Sequence, residues 1–440
     1  MPIPGPVAII LAAGHGKRMV SERAKVLHEL CGLPMVHYVI EAARAAGVRS
    51  IIVVVGVGAD QVRAALADQP DLHFALQEQP RGTGDAVRAA RPILEAYSGP
   101  ALVLAGDMPL IRSASLTELL ERQRQSGAAC VLATAQIDQP YGFGRILRDG
   151  SGRFLRIIEQ RDCTPDEALI REINPSCYVF ELPALWSAIE RLGTSNAQGE
   201  YYLTDAPELL QNQGLKVEAI PILQPDDVLG INTREHLAEA HQIMQSRIAS
   251  RLMSQGVTIT DPRTTSIDGR AQIGPDTTIF PFTVISGRVR IGRGCKIGPF
   301  THLRDGTILE DHVEVGAFVE TSASALGSGT VARHLAYLGN AQIAHDVNVG
   351  AGTITANFDG QVKQPTIIES GAFLGAGSIM IAPVTIGEHA RIAAGAVVTA
   401  RTTVPAGATV MGMPARVVDV QSSPSAGKSE RIPPPPADLD

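Results

Sequence analysis

Counting by sixes from Ile267 meets an aliphatic residue at every step: Ile267, Ile273, Ile279, Ile285, Ile291, Ile297, Leu303, Leu309 and Val315. The phase then slips. It resumes as Ile368, Leu374, Met380, Ile386, Ile392, Val398, Val404 and Val410, and glycine directly follows the aliphatic position at Gly274, Gly292, Gly298, Gly316, Gly375 and Gly387. A period of six fits neither a helix nor an alternating strand. Short strands joined by tight corners satisfy it. Each hexad forms one flat side of a triangular coil, its aliphatic residue points into the prism, and small residues suit the turning backbone. The pattern predicts a left-handed parallel β-helix. Residues 321–367 are looser, although Leu326, Leu338, Ile343 and Val349 remain aliphatic, and the polar stretch 355–365 is expected to project from a coil as a loop.

The first half alternates differently. Aliphatic runs at 7–11, 51–55 and 101–104 are interleaved with helical patterns over 35–46, 59–67 and 83–94. This predicts a Rossmann-like α/β domain with a mostly parallel sheet and ligands at the C-terminal ends of its strands. After Asn232 and Thr233, the residues Leu237, Ala240, Met244, Ile248 and Leu252 recur at helical spacing and predict a linking helix. The chain thus divides into 1–232, a linker helix over 233–253, a β-helix over 254–420, and a Ser- and Pro-rich tail over 421–440 expected to be disordered.

Composition narrows the partners. Nonpolar residues at 45% and charged ones at 19% of 440 exclude a disordered polymer. Only 4% of residues are aromatic against 43 glycines, as a thin prism with little room for rings requires. A net charge of -7 argues against broad nucleic-acid or anionic-membrane binding and points to small-molecule substrates. No apolar run approaches a membrane span and no N-terminal targeting pattern is evident, so membrane insertion and export are not expected. Five scattered cysteines without a C-x-x-C spacing suggest neither disulfides nor zinc, which fits a reducing cytoplasm.

Candidate chemistry begins directly after the first strand, in Leu11-Ala12-Ala13-Gly14-His15-Gly16-Lys17-Arg18-Met19, followed by Lys25. Small residues let backbone N–H groups approach phosphate oxygens while the cations neutralise them. The turn matches neither a Walker A loop nor G-x-G-x-x-G, because Met19 stands at the third glycine. Taken alone it is equally well a glycine-rich turn with solvated charges. Likewise, capping is the commoner fate of a single strand-end Asp107 or of Asn232 before a helix.

With further segments in the same order, the turn resembles the signature of sugar-1-phosphate nucleotidyltransferases. Gln77, Gly82 and Thr83 in Leu76-Gln-Glu-Gln-Pro-Arg-Gly-Thr-Gly84 are similar to that family's uracil-reading segment. Gly106 and Asp107 end a strand, and Gly142, Glu159, Asn174 and Asn232 match sugar and metal contacts. Together with the β-helix, residues 7–418 resemble the bifunctional N-acetylglucosamine-1-phosphate uridylyltransferase and glucosamine-1-phosphate N-acetyltransferase family. The resemblance implies Leu11, Ala12, Ala13 and Gly14 at the nucleotide, Arg18 and Lys25 as catalytic cations, and Mg²⁺ on Asp107 and Asn232. It implies UTP as nucleotidyl donor. Ala105 stands where the family often has tyrosine.

For the second half the resemblance implies a homotrimer using acetyl-CoA, with His334 in Ala332-Arg-His-Leu-Ala-Tyr-Leu-Gly339 as general base. Arg304, Tyr337, Asn348 and Lys363 would bind glucosamine-1-phosphate. Ala351, Asn357, Phe358, Ala376 and Ala394 would line the coenzyme. The family's lysine after Phe-Val-Glu is replaced, since the chain reads Phe318-Val-Glu-Thr-Ser322; Phe358 stands for a tyrosine and Ala376 for a serine. Three readings follow. The first is a bifunctional enzyme that makes N-acetylglucosamine-1-phosphate and then UDP-N-acetylglucosamine, for envelope synthesis in a bacterium. The second is a nucleotidyltransferase whose β-helix only regulates or oligomerises, and the third a trimeric scaffold with a nucleotide sensor.

Overall fold

A computed structural model describes residues 5–412; the predicted tail at 421–440 lies outside them. Seven strands form the sheet of the first half: β1 (Val7–Leu11), β2 (Ser50–Val55), β3 (Leu72–Leu76), β4 (Pro100–Ala105), β5 (Cys130–Ala133), β6 (Cys177–Glu181) and β7 (Val217–Ile220). Their order is β7-β5-β6-β4-β1-β2-β3, with every pairing parallel except those of β6. The aliphatic runs occupy its centre because helices cover both faces, and Ile9, Ile52 and Val103 are fully buried. The expected helix over 83–94 is two helices, Thr83–Ala89 and Arg91–Leu94. Pro92 accounts for the break, because it lacks the N–H that would continue the first helix. A four-stranded antiparallel sheet carries Gly144–Arg148, Phe154–Ile158 and Glu172–Asn174 beside the main sheet.

In the second half, three parallel sheets of nine, eight and eight short strands form the sides of the left-handed β-helix. The hexad aliphatics point inward: Ile279, Ile297, Leu303 and Ile392 are fully buried. Each contributes roughly 1.5–3 kcal/mol by leaving water. The phase slip has a local cause. Thr321, Leu326, Ala332, Leu338, Ile343, Val349 and Thr355 take the inward positions, so two sides use five residues instead of six. Correspondingly, Glu314 pairs with Val331 and Val331 with Asn348, a shorter advance than Thr278 to Lys296. Thr321 is tolerated inside because its hydroxyl hydrogen-bonds that of Thr307 at 2.9 Å. The polar excursion then enters as a hairpin-like loop, closed by a bridge between Phe358 and Lys363 and by Gln364 N donating to Asn357 O at 2.7 Å.

The linking helix runs over Arg234–Ser254, and Thr233 caps it by accepting from His236 N at 3.2 Å. Its buried Ala240, Met244, Ile248 and Leu252 share one core with Leu30, Cys31 and Met35 of the first half and Val257, Ile259 and Ile267 of the first coil. Gly269 N also donates to Cys31 O at 2.9 Å, so the two halves touch directly.

Candidate active sites

A cavity of about 330 Å³ opens at the C-terminal ends of β1 and β4, lined among others by Leu11, Ala13, Gly14, Lys25, Gln77, Gly82, Thr83 and Asp107. Strand topology brings these segments together: Ala12 N donates to Val54 O at 2.9 Å, and Gly106 N to Leu11 O at 2.9 Å. Gly82 has φ 111°, and a Cβ there would lie 2.6 Å from Tyr201 O, so no other residue fits without a shift.

The central contact joins three distant positions. Lys25 Nζ donates to Asp107 Oδ2 at 2.5 Å and to Asn232 Oδ1 at 3.1 Å. Two hard oxygens therefore converge on one cation, and their donor chemistry fits Mg²⁺. Among the described residues, no cluster of three or more His, Cys, Asp or Glu is arranged for a metal, so an ion on this pair would complete its shell with substrate oxygens and water.

Arg18 lies outside the cavity lining, in the short Lys17–Met19 turn and exposed to solvent. Gly142, Glu159 and Asn174 also lie outside that lining, and of these Glu159 and Asn174 connect to it. Asn174 Oδ1 accepts from the N–H of Ser176, which lines the cavity. Glu159 accepts from Thr204 at 3.0 Å, while the neighbouring Leu203 N donates to Thr83 Oγ1 at 3.0 Å. Burial raises the Glu159 carboxyl above its usual range; the Thr204 bond opposes this, and the Asp205, Asp162 and Glu200 charges reinforce it. The Gly142 N–H is engaged by Gln160 Oε1 at 3.1 Å.

Sequence reasoning missed several neighbours. His15, Ser176 and Glu200 also line the cavity. Arg234, the first residue of the linking helix, donates to Met19 O at 3.2 Å and contacts His28 Nδ1 at 3.1 Å. A guanidinium only donates, so His28 Nδ1 is the acceptor and the imidazole is neutral; burial, the Arg234 charge and the Arg23 charge lower its pKa. Arg234 thus ties the Lys17–Met19 turn to the start of the helix that Asn232 precedes.

On the β-helix, His334 ends a strand at a corner, exposed, and Leu335 follows with φ 48°. The strand pairings set His334, Ala351, Ala376 and Ala394 one above another on successive coils. Adjacent coils are about 4.8 Å apart, so the three alanines form a track whose far end, Ala394, lies roughly 14 Å along the corner from His334. Tyr337 pairs with Glu320 on the preceding coil, and Glu320 holds Arg304 at 2.8 Å. Arg304 is therefore already engaged by a carboxylate. Asn357 donates to Asn340 Oδ1 at 2.7 Å and anchors the loop that bears the exposed Phe358 and Lys363. Asn348 is half-buried on the coil above Val331.

An α/β nucleotide-transferring domain fused to a hexapeptide acyltransferase prism is the class this architecture defines. Residues 8–203 match the MobA-like NTP transferase domain, residues 270–302 and 289–323 the bacterial transferase hexapeptide, and 365–400 the hexapeptide repeat of succinyl-transferase. Bifunctional protein GlmU of Pelobacter propionicus is 43% identical, over 91% of this chain and 94% of its own. The GlmU of Geotalea uraniireducens is 44% identical over 89% and 93%, and that of a Geobacillus species 40% over 89% and 92%. The chain belongs to the bifunctional GlmU family. It is a bifunctional enzyme of UDP-N-acetylglucosamine biosynthesis, joining uridylyl transfer and acetyl transfer. Among the described residues, no helix is long and apolar enough to cross a membrane.

Proposed function

We propose that residues 1–232 carry the uridylyl site and residues 254–420 the acetyl site, joined by the helix 233–253, and that the product of the second is the substrate of the first. The convergence of Asp107 and Asn232 on one cation beside a cavity of about 330 Å³ supports the first assignment most strongly.

At the uridylyl site, a phosphate oxygen of N-acetylglucosamine-1-phosphate forms a bond to the α-phosphorus of UTP, and the bond to the β-phosphate oxygen breaks to release pyrophosphate. The nucleophile is already an anion, so the protein mainly positions and neutralises. Backbone groups of residues 11–14 cradle phosphate oxygens, Arg18 and Lys25 offset their charge, and Gln77, Gly82 and Thr83 hold the base. Glu159, Asn174 and Gly142 surround the sugar. Asp107 and Asn232 hold Mg²⁺, which supplies further positive charge to the triphosphate when bound.

At the acetyl site, the amino nitrogen of glucosamine-1-phosphate attacks the thioester carbon of acetyl-CoA, His334 takes the nitrogen's proton, and the carbon–sulfur bond breaks to give CoA. The alanine track presents no bulky side chain, which suits the coenzyme's linear arm. Arg304, Tyr337, Asn348 and Lys363 bind the amino sugar phosphate, with Arg304 exchanging Glu320 for phosphate and Lys363 compensating for Ser322. Asn357 and Phe358 complete the coenzyme side. A homotrimer covers the exposed His334 edge. Phe282, Phe300 and Phe318 stack at 5.0 and 5.3 Å along the same corner, exposed, and Leu335 continues the line beside His334. Such a ladder is a natural seam for another copy. The enzyme works in the cytoplasm, where both donors are available.

Purified protein given UTP, Mg²⁺ and N-acetylglucosamine-1-phosphate should release pyrophosphate, and given acetyl-CoA and glucosamine-1-phosphate should release CoA. Pyrophosphate without CoA would reduce the β-helix to a regulatory or oligomerising module.

A further inference from the structure

Gln77, placed at the base above, forms a buried polar pair with Asp85, which that chemistry leaves unused; 8% and 6% of their surfaces are exposed. Gln77 directly follows β3 and lines the nucleotide cavity. Asp85 sits in the first turn of the helix Thr83–Ala89. The Gln77 amide nitrogen donates to Gly82 O at 3.1 Å and to Asp85 Oδ2 at 3.1 Å. An amide nitrogen has two protons, so both are committed, and neither a carbonyl nor a carboxylate can donate in return. Turned by half a rotation, the amide would set its oxygen against two acceptor oxygens and leave buried donors and acceptors unpaired. In the observed orientation Oε1 has no protein partner among the described residues. Asp85 is itself held by Arg81 at 2.9 Å and Arg88 at 3.5 Å.

We infer that Asp85 is a specificity-determining residue of the nucleotidyl site, because it locks Gln77 with its carbonyl oxygen as the group offered to the base. The inference rests on the uridylyl reading above. A pyrimidine with an N–H at ring position 3, as in uracil, can donate to that oxygen. Cytosine presents a bare nitrogen there and meets acceptor with acceptor. Asp85 touches no substrate and acts through Gln77.

The test is pyrophosphate release with UTP and with CTP, comparing wild type, Asp85→Leu, Asp85→Asn and Gln77→Leu, with CoA release as the control for folding. Arg81 and Arg88 are substantially exposed and can turn to water, so Asp85→Leu should fold. Wild type should prefer UTP, and Asp85→Leu should lower the UTP-to-CTP ratio of kcat/KM by about tenfold or more, as expected for one discriminating hydrogen bond. Asp85→Asn, which keeps an acceptor oxygen, should lower it less. A wild type indifferent to the base, or an Asp85→Leu ratio unchanged while both nucleotides fall together, would overturn the inference. If Asp85→Leu loses CoA release as well, the smaller Asp85→Ala, which also removes the acceptor, decides: an unchanged ratio there refutes the lock. Gln77→Leu separates the underlying reading, since a wild-type ratio there would mean that Gln77 does not read the base at all.

Discussion

Lys25, Asp107 and Asn232 come from three separate segments, and none of them has chemistry of its own until the sheet brings them to one point. Asp107 and Asn232 stood out at a strand end and before a helix, and Lys25 only through the resemblance of the segment it follows. Asp85 and Arg234 were not legible, since their roles lie in what they hold: a buried carboxylate beside an amide, and a guanidinium on a carbonyl from the far side of the domain. Residue-scale electrostatics also gives a stability prediction. Burial, with the Glu208 and Asp162 charges, raises Asp205 from 3.8 to about 6. Below about pH 4 both folded and unfolded chains hold this proton; between there and about pH 6 only the folded chain does, so stability falls as pH rises through that window. The full penalty, on the order of 2 kcal/mol, is present above it. Asp205→Asn should therefore stabilise the protein by roughly that amount at neutral pH and scarcely at about pH 4, measured by denaturant unfolding. Equal effects at both pH values would contradict the assigned cause.

Among the elements, the β-helix was the most legible, because a period of six has one structural solution and its aliphatic members all had to point inward. The five-residue sides were hidden, since Thr321 and Thr355 read as polar interruptions although their hydroxyls are satisfied inside the prism. Removing an inward hexad residue should open a cavity: Ile297→Ala is expected to cost about 2–5 kcal/mol in a denaturant titration, and a loss below about 0.5 kcal/mol would mean that the site collapses freely. The projecting loop makes a separate prediction. Lys363→Ala should raise the KM for glucosamine-1-phosphate by about tenfold, the order expected of one charge-assisted contact, with a smaller change in kcat. An unchanged KM would leave the position of Ser322 uncompensated. At the start of the linking helix, Arg234→Ala should slow pyrophosphate release by about tenfold or more while CoA release is unaffected, because small displacements of positioning groups are costly in rate. Parallel loss of both would indicate general unfolding instead.

Across the whole molecule, the two halves share a core through the linking helix, yet the residues proposed for the two sites do not overlap. The division into two halves followed from the change of period, whereas the direct contact of Gly269 with Cys31 had no signal in either segment. If the phenylalanine ladder is the seam of a trimer, Phe300→Ser should shift the solution mass from three copies toward one and depress CoA release more than pyrophosphate release, read by light scattering beside both assays. The most direct test of the account as a whole is that pair of assays applied to two variants. Asp107→Ala should abolish pyrophosphate release and spare CoA release, and His334→Ala should do the reverse; if either substitution in a folded protein removed both activities, or neither, the two-site assignment would be wrong.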